Sequence, residues 1–318
     1  MPENGKLAEI TRNIERVIVG KGRVVRMVLA ALISEGHVLV DDVPGTGKTT
    51  LCKTMARSIG GEFRRIQFTP DVLPSDVTGV YFFDQRTASF EFRPGPVFAN
   101  LVLADEINRA TPRTQSALLE AMEERHVTVD GTTHRLPNPF MVIATQNPVE
   151  LEGTFQLPEA QLDRFMLKVS LGYPSEGEEN EMVSRFEGEN PLESLSEAIT
   201  TDELVELQAE ARRVRMDSSV REYAVRMTRA TRAHPSVQLG ASPRATLALC
   251  RIAQSWALLD GRSFVIPEDV KEMAGPVLSH RIFLDPQHRI RGRSTLSVID
   301  EVAASTPVPI EERPTVRR

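Results

Sequence analysis

One stretch decides the fold of this chain: Asp41-Asp42-Val43-Pro44-Gly45-Thr46-Gly47-Lys48-Thr49-Thr50. Before it, His37-Val38-Leu39-Val40 is a short apolar segment with β-branched residues, which is typical of a buried strand. After it, Leu51, Met55 and Ile59 recur at the spacing of one helix face. The stretch is therefore predicted to form the loop of a strand-to-helix turn.

Such a loop is a favourable place for phosphate, because the first N–H groups of a helix have no partner within it and carry the positive end of its dipole. Gly45 and Gly47 let the backbone fold around a phosphate without a Cβ in the way. Lys48 supplies a positive charge, and Thr49 offers a hydroxyl to Mg²⁺. Asp42 occupies the position of the motif's first glycine, so only the second half of the motif is matched. The pattern predicts a nucleoside triphosphate site, and its alternative is a glycine-rich turn with a chance Lys-Thr pair.

The composition is that of an ordinary globular protein of about two domains. Of 318 residues, 41% are hydrophobic and 26% charged, which argues against a disordered chain or a disulfide scaffold. The net charge of -6 argues against general affinity for nucleic acid. Cys52 and Cys250 lie far apart in apolar helical patterns, as expected of core residues in a reducing compartment. No apolar run is long enough to span a bilayer, so we expect a cytoplasmic protein without membrane insertion.

Apolar segments alternate with helical patterns along the first half of the chain. Strands are predicted at 37–40, 63–68, 101–104, 140–145 and 165–169, and helices at 7–19, 24–34, 51–59 and 113–124. This alternation predicts an α/β fold with a five-stranded parallel sheet covered on both faces. The catalytic loops of such a sheet gather at the carboxyl ends of its strands.

The rest of the chain departs from this alternation. Two hairpins, at about 78–93 and 126–136, are predicted as insertions in a core domain of residues 1–172. An acidic linker at 173–199 leads to a small all-helical lid domain at 200–318. Within that lid, Thr200 with Glu203 and Ser219 with Glu222 have the spacing of helix capping boxes. Further helices are predicted at 243–259, 267–279 and 295–302.

Polar residues end two of the predicted strands. Asp105 and Glu106 follow the apolar segment 101–104, and because side chains alternate along a strand, the two acids can do different work. Asp105 is suited to hold Mg²⁺ through water, and Glu106 to polarise the water that attacks a γ-phosphate. Asn147 follows the next strand and could orient that water, although alone it would indicate only a turn before proline. Arg164 precedes the last strand and in isolation indicates a surface salt bridge.

In this order, the segments resemble an AAA+ ATPase. The matching elements are Walker A at residues 45–49, Walker B at 101–106, sensor 1 at Asn147, an arginine finger at Arg164 and a sensor 2 arginine at Arg244. More narrowly, the segments 42–49, 105–110 and 157–165 are similar to the MoxR family. Members of that family commonly have an acidic residue at the position of Asp42. Asp42 therefore supports the resemblance and does not argue against nucleotide binding.

The resemblance implies a P-loop NTPase core with ATP and Mg²⁺ as ligands. It implies catalytic roles for Glu106, Asn147, Arg164 and Arg244, and metal binding by Thr49 and Asp105. Residues 17–20 resemble the segment that cups adenine. The residues implied to bind ATP are Ile18, Val19, Gly20, Pro44, Gly45, Thr46, Gly47, Lys48, Thr49 and Thr50.

It also implies a homo-oligomeric ring, expected to be a hexamer, with ATP at each subunit junction and Arg164 serving the neighbour's site. Arg109 is a second candidate for contact across the junction, and a salt bridge at a helix start is its alternative. The first hairpin, at about 78–93, matches the helix-2 insert found in this group of AAA+ ATPases. It is expected to face the pore of the ring or a client protein. Family members act as chaperone-like ATPases that remodel proteins, often ones with von Willebrand factor A domains.

Three other functions would use parts of the same pattern. A nucleic-acid motor could use the ten arginines that stand against four acidic residues between 208 and 262. Those arginines are spread around the helices, with Tyr223 and Trp256 as the only large aromatic residues among them, which favours a solvated or subunit-contacting surface. A nucleotide switch that binds ATP without hydrolysing it would not need Glu106, Asn147 and Arg164, so the presence of these residues argues against that function. A kinase would share the phosphate loop but has no use for an arginine supplied by a neighbouring subunit.

Overall fold

A computed structural model describes residues 5–146 and 153–309 of the chain, which form two compact units divided between Arg212 and Arg213. The helices of the first unit are α1 (Gly5–Glu15), α2 (Gly22–Ile33), α3 (Lys48–Ser58), α4 (Pro74–Thr78), α5 (Pro112–Glu124), α6 (Glu159–Leu162), α7 (Glu176–Phe186) and α8 (Thr201–Arg213). Its strands are β1 (Val38–Asp41), β2 (Phe63–Gln67), β3 (Gly79–Asp84), β4 (Ser89–Pro94), β5 (Leu101–Asp105), β6 (His126–Val129), β7 (Thr132–Arg135), β8 (Met141–Gln146) and β9 (Leu167–Val169).

The predicted five-stranded parallel sheet is confirmed, with strand order β2-β5-β8-β1-β9. The central strands β1, β5 and β8 are buried along almost their whole length, as expected where both faces of a parallel sheet are covered. Their last residues are more exposed and polar. In the register, Gln67 lies beside Asp105 and Asp41 beside Gln146. The sheet therefore brings the polar ends of four strands to one edge.

The hairpins β3–β4 and β6–β7 lie outside the central sheet, at the positions where the sequence predicts insertions. They contact each other through aromatic rings. The His134 ring stacks on the Phe92 ring with centroids 3.9 Å apart, and Tyr81 Oη lies 3.2 Å from His134 Nε2. The two insertions thus share a small packed cluster of their own.

The region predicted as an acidic linker contains the helix α7. Ser175 and Glu178 form a capping box at its start, in which the Glu178 carboxylate accepts the Ser175 N–H at 2.7 Å. The predicted capping pair at Thr200 and Glu203 is present too, at the start of α8. The sequence assigns α8 to the lid, whereas the contacts group it with the first unit. For example, the Gln208 side chain on α8 donates to Leu32 O, in the first unit, at 2.9 Å.

The second unit is mostly helical, and the prediction of a purely helical unit missed one feature. Its elements are α9 (Ser218–Ala233), β10 (Val237–Leu239), α10 (Pro243–Leu259), α11 (Pro267–Leu278), β11 (Phe283–Leu284), α12 (Pro286–Ile290) and α13 (Thr295–Ser305). The short strands β10 and β11 pair antiparallel. At the start of α9 the predicted Ser219–Glu222 box is wrong, because Asp217 precedes the helix in an extended conformation and its carboxylate accepts the Ser219 N–H.

Within the described ranges, no helix is long and apolar enough to cross a membrane.

Candidate functional site

A cleft of about 390 Å³ lies at the edge of the sheet where the polar strand ends meet the start of α3. Its lining comes from the phosphate loop and from the last residues of β2, β5 and β8. The lining residues are Asp42, Pro44, Gly45, Gly47, Lys48, Thr49, Thr50, Arg65, Gln67, Asp105, Glu106, Thr145 and Gln146. Most of the residues predicted to bind phosphate and metal therefore share one cavity.

The phosphate loop has the backbone conformation that its glycines allow. Gly45 and Gly47 have φ angles of +84° and +86°, in the left-handed region that side-chain-bearing residues rarely adopt. A Cβ built on either glycine would meet no protein atom within 4 Å, so the space beside both residues is open. Lys48 begins α3, and its Nζ donates to Val43 O at 2.6 Å and Asp42 O at 3.2 Å. The ammonium group is thus held across the mouth of the loop.

Asp42, which replaces the first glycine of the motif, holds this loop in place. It is 6% exposed. Its Oδ2 accepts the N–H groups of Leu171 and Gly172 at 2.8 and 3.0 Å, and its Oδ1 accepts the Val43 N–H at 3.1 Å. A buried carboxylate with three backbone donors is well satisfied. Asp42 therefore ties the start of the loop to the chain that leaves β9.

Asp105 and Glu106 each form a hydrogen bond with the same hydroxyl group. Thr145 Oγ1, on the neighbouring strand β8, donates to Asp105 Oδ1 at 2.6 Å and accepts the Glu106 N–H at 2.8 Å. Glu106 itself has a φ angle of +56°, which turns the chain sharply after β5. Glu106 therefore lies outside the strand, so the predicted alternation of the two side chains does not apply, and both residues line the same cleft.

Each acid also has cationic or amide partners that the sequence interpretation missed. Arg65 contacts Asp105 Oδ2 through Nη2 at 2.6 Å and Nε at 3.2 Å. Gln67 Nε2 donates to Glu106 Oε2 at 2.8 Å. Arg109 Nη1 also reaches the same oxygen at 3.2 Å, so Arg109 forms an ion pair within its own subunit, at the end of a short 3-10 turn. The signal for Arg65 and Gln67 was their place at the end of β2, one strand away from Asp105.

A second cavity of about 590 Å³ adjoins the phosphate loop. It shares Gly45, Gly47 and Thr50 with the first cavity and also includes Thr46. Its apolar wall combines Val17, Ile18 and Val19 with residues of α7, namely Met182, Val183 and Phe186. Such a wall suits a nucleobase, which is flat and largely apolar on its faces.

Gly20 does not line this cavity, although the sequence interpretation places it in the base-binding segment. Its φ is +71°, and a Cβ there would approach Glu178 Oε1 to 1.9 Å. Gly20 thus permits the close contact between the 17–20 segment and α7. The contribution of α7 could have been suspected from the apolar residues within its acidic sequence.

Of the remaining predicted residues, Arg164 does not line the cleft. Arg164 is 29% exposed in its side chain, and its Nε donates to Glu123 Oε2 at 2.7 Å. Arg244 belongs to the second unit, in the first turn of α10. Asn147 lies outside the described residues. Their catalytic roles remain predictions.

The donor set of the cleft fits Mg²⁺. Thr49 supplies a hydroxyl and Asp105 a carboxylate, and Mg²⁺ takes oxygen ligands, with the remainder coming from water and substrate phosphates. Across residues 5–146 and 153–309, no group of three or more His, Cys, Asp or Glu could hold a metal by itself.

Comparison with known proteins gives a consistent result. Residues 37–167 match the family model for the "ATPase family associated with various cellular activities (AAA)", and residues 229–302 match the AAA lid domain. An uncharacterized Bacillus subtilis protein, YeaC, is 51% identical over 96% of this chain and 95% of its own length. Chaperone MoxR1 of Mycobacterium tuberculosis is 46% identical over 85% of this chain and 74% of its own. A crystal structure of a provisionally assigned ATPase from Cytophaga hutchinsonii superposes with a TM-score of 0.91 at 38% identity, covering 96% of both chains.

Proposed function

Because this chain belongs to the MoxR family of AAA+ ATPases, we propose that it hydrolyses ATP with Mg²⁺ in a site that a neighbouring subunit completes. The observation that carries the proposal is the meeting of Lys48, Thr49, Asp105 and Glu106 in one cleft at the carboxyl edge of the sheet. A positive charge, two metal-ligand oxygens and a candidate base are the groups that phosphoryl transfer to water requires.

Each of these residues has a distinct task in the proposed reaction. The open loop around Gly45 and Gly47 offers backbone N–H groups to the phosphates, and Lys48 adds a charge once its Nζ turns from Val43 O towards them. Mg²⁺, held by Thr49 and Asp105, would supply charge stabilisation at the β- and γ-phosphate oxygens. Glu106 would accept the proton of the attacking water. The apolar cavity beside α7 would hold the adenine.

The arginine that stabilises the transition state would come from another copy of the chain. Arg164 does not line the cleft of its own subunit, and its ion pair with Glu123 holds it at a partly exposed position. An arginine supplied in trans contributes on the order of 10³-fold or more to hydrolysis in related NTPases. We propose a homo-oligomeric ring, of six subunits by family resemblance, with Arg164 at each junction. In the same account, Asn147 orients the water and Arg244 contacts the γ-phosphate.

The work done by hydrolysis is proposed to be the remodelling of protein clients. The name of the Mycobacterium tuberculosis relative describes a chaperone. The resemblance implies proteins with von Willebrand factor A domains as the client class. The exposed aromatic residues of the β3–β4 hairpin, Phe82, Phe83 and Phe90, offer a surface for an apolar client segment.

Measurements of phosphate release and nucleotide binding on the same samples test the ATPase proposal. Glu106→Gln should bind ATP with Mg²⁺ but release phosphate at least 100-fold more slowly, because the base is lost. Lys48→Ala should lose nucleotide binding itself. Glu62→Gln makes the same substitution at a carboxylate that pairs with Arg64 and does not line the cleft, and it should leave both measurements unchanged. Phosphate release by Glu106→Gln at the original rate would overturn the assignment of the base.

A further inference from the structure

Arg65 occupies an oxygen of Asp105 that a metal ion or its bound water could otherwise contact. Its guanidinium contacts Oδ2 with two nitrogens, at 2.6 and 3.2 Å, while the other carboxylate oxygen accepts the Thr145 hydroxyl. The Asp105 side chain is only 13% exposed, whereas that of Arg65 is 46% exposed. The carboxylate is thus fixed, and the cation beside it is the partner with room to move.

The same guanidinium is linked to the candidate base. Arg65 Nη2 donates to Gln67 Oε1 at 2.6 Å, and Gln67 Nε2 donates to Glu106 Oε2 at 2.8 Å. Both residues lie on β2 and point to the cleft, two positions apart, as residues on one face of a strand do. A continuous chain of hydrogen bonds therefore runs from Asp105 through Arg65 and Gln67 to Glu106.

We propose that Arg65 is a resident cation that competes with Mg²⁺ for Asp105. This inference rests on the proposed function of the site. Without metal, Arg65 neutralises Asp105 and anchors the Gln67 amide, which in turn holds Glu106. Metal binding at Asp105 displaces the guanidinium, because two cations at one carboxylate oxygen repel each other.

The neighbouring Arg64 provides a matched control on the same strand. Its side chain is 59% exposed and its Nη2 pairs with Glu62 Oε1 at 2.6 Å, away from the cleft. Arg64→Gln and Arg65→Gln remove the same charge and a comparable ion pair, but only the second frees Asp105. Arg65→Lys keeps the charge and loses the planar two-nitrogen contact, so its effect should lie between those of wild type and Arg65→Gln.

The test is a Mg²⁺ titration of the binding of a fluorescent, non-hydrolysable ATP analogue. Charge-assisted hydrogen bonds of this kind contribute enough that the half-saturating Mg²⁺ concentration should fall about tenfold in Arg65→Gln. It should stay unchanged in Arg64→Gln. If Arg65 served only to bind phosphate, Arg65→Gln would instead weaken analogue binding in EDTA and leave the Mg²⁺ midpoint unchanged or raised, and that result would overturn the inference.

A second readout separates this inference from the proposed function. Electron paramagnetic resonance of Mn²⁺, titrated into protein saturated with ADP, should show tighter ion binding by Arg65→Gln than by wild type or Arg64→Gln. Equal Mn²⁺ binding by all three proteins would contradict the competition even if the analogue binds normally. Failure of wild-type protein to bind the analogue at all, with or without Mg²⁺, would overturn the proposed function itself.

Discussion

The Asp42 carboxylate accepts the Leu171 N–H at 2.8 Å, so the phosphate loop is tied directly to the chain that leaves the edge strand β9. The Asp42 carboxylate also accepts hydrogen bonds from the Gly172 and Val43 N–H groups. An acid in place of the first motif glycine therefore has a structural explanation. It contributes to the position of the loop that contains Gly45, Gly47 and Lys48.

We expect Asp42→Ala to destabilise the first unit by about 3 kcal/mol, because it leaves buried N–H donors without an acceptor. Urea unfolding followed by circular dichroism measures this change. Asp41→Ala is the control, since Asp41 is 26% exposed in its side chain and pairs with Lys168, and its loss should cost less than about 1 kcal/mol. Equal stability losses in the two variants would show that the Asp42 contacts are unimportant.

The two hairpin insertions should move together, because His134 on β7 stacks on Phe92 and lies within hydrogen-bond distance of Tyr81 on the other hairpin. His134→Ala should speed amide hydrogen exchange in β3 and β4 and lower stability by about 1 kcal/mol. Phe90→Ala, at a β4 residue that is 71% exposed, should leave exchange in β6 and β7 unchanged. Unaltered exchange in His134→Ala would mean that the hairpins are independent.

The cysteines should differ in reactivity. Cys52 is buried in α3, and burial raises the pKa of its thiol strongly, whereas Cys250 is only partly buried and the pKa of its thiol is raised as well. A raised pKa lowers the thiolate fraction at neutral pH, so both should label more slowly than a free thiol. In native protein, a thiol reagent should modify Cys250 first and Cys52 only on unfolding. Rapid native labelling in the Cys250→Ser variant would contradict the burial of Cys52.

The sequence predicted those parts of the fold and site that depend on local pattern. The strand before the phosphate loop, the helix after it and the apolar strand ending at Asp105 are each encoded by a few consecutive residues. The prediction of a five-stranded parallel sheet followed from their alternation. The structure places the phosphate loop, Asp105 and Glu106 around one cleft, as expected for strand ends of a parallel sheet.

The missed features depend on contacts between segments far apart in the chain. Arg65 and Thr145 act on Asp105 only because β2 and β8 flank β5, and that order is not visible in any one segment. The short pair β10–β11 likewise joins residues distant in sequence. At α9, both Asp217 and Ser219 could cap the helix. Spacing alone could not show that Asp217 is the residue that does so.

Each ATP site is proposed to take Glu106 from one subunit and Arg164 from the next, and mixing two inactive variants tests this arrangement. Arg164→Ala and Glu106→Gln should each hydrolyse ATP poorly alone. Glu123→Gln, which removes the same ion pair but keeps Arg164, should remain active and so controls for the loss of that contact. In a 1:1 mixture of the two inactive variants, about a quarter of the junctions in a randomly assembled ring would combine an intact Glu106 with an intact neighbouring Arg164. If the site is shared in this way, the mixture should release phosphate at about a quarter of the wild-type rate. Mixed rings that are as inactive as their separate components would show that Arg164 does not act on the neighbouring subunit.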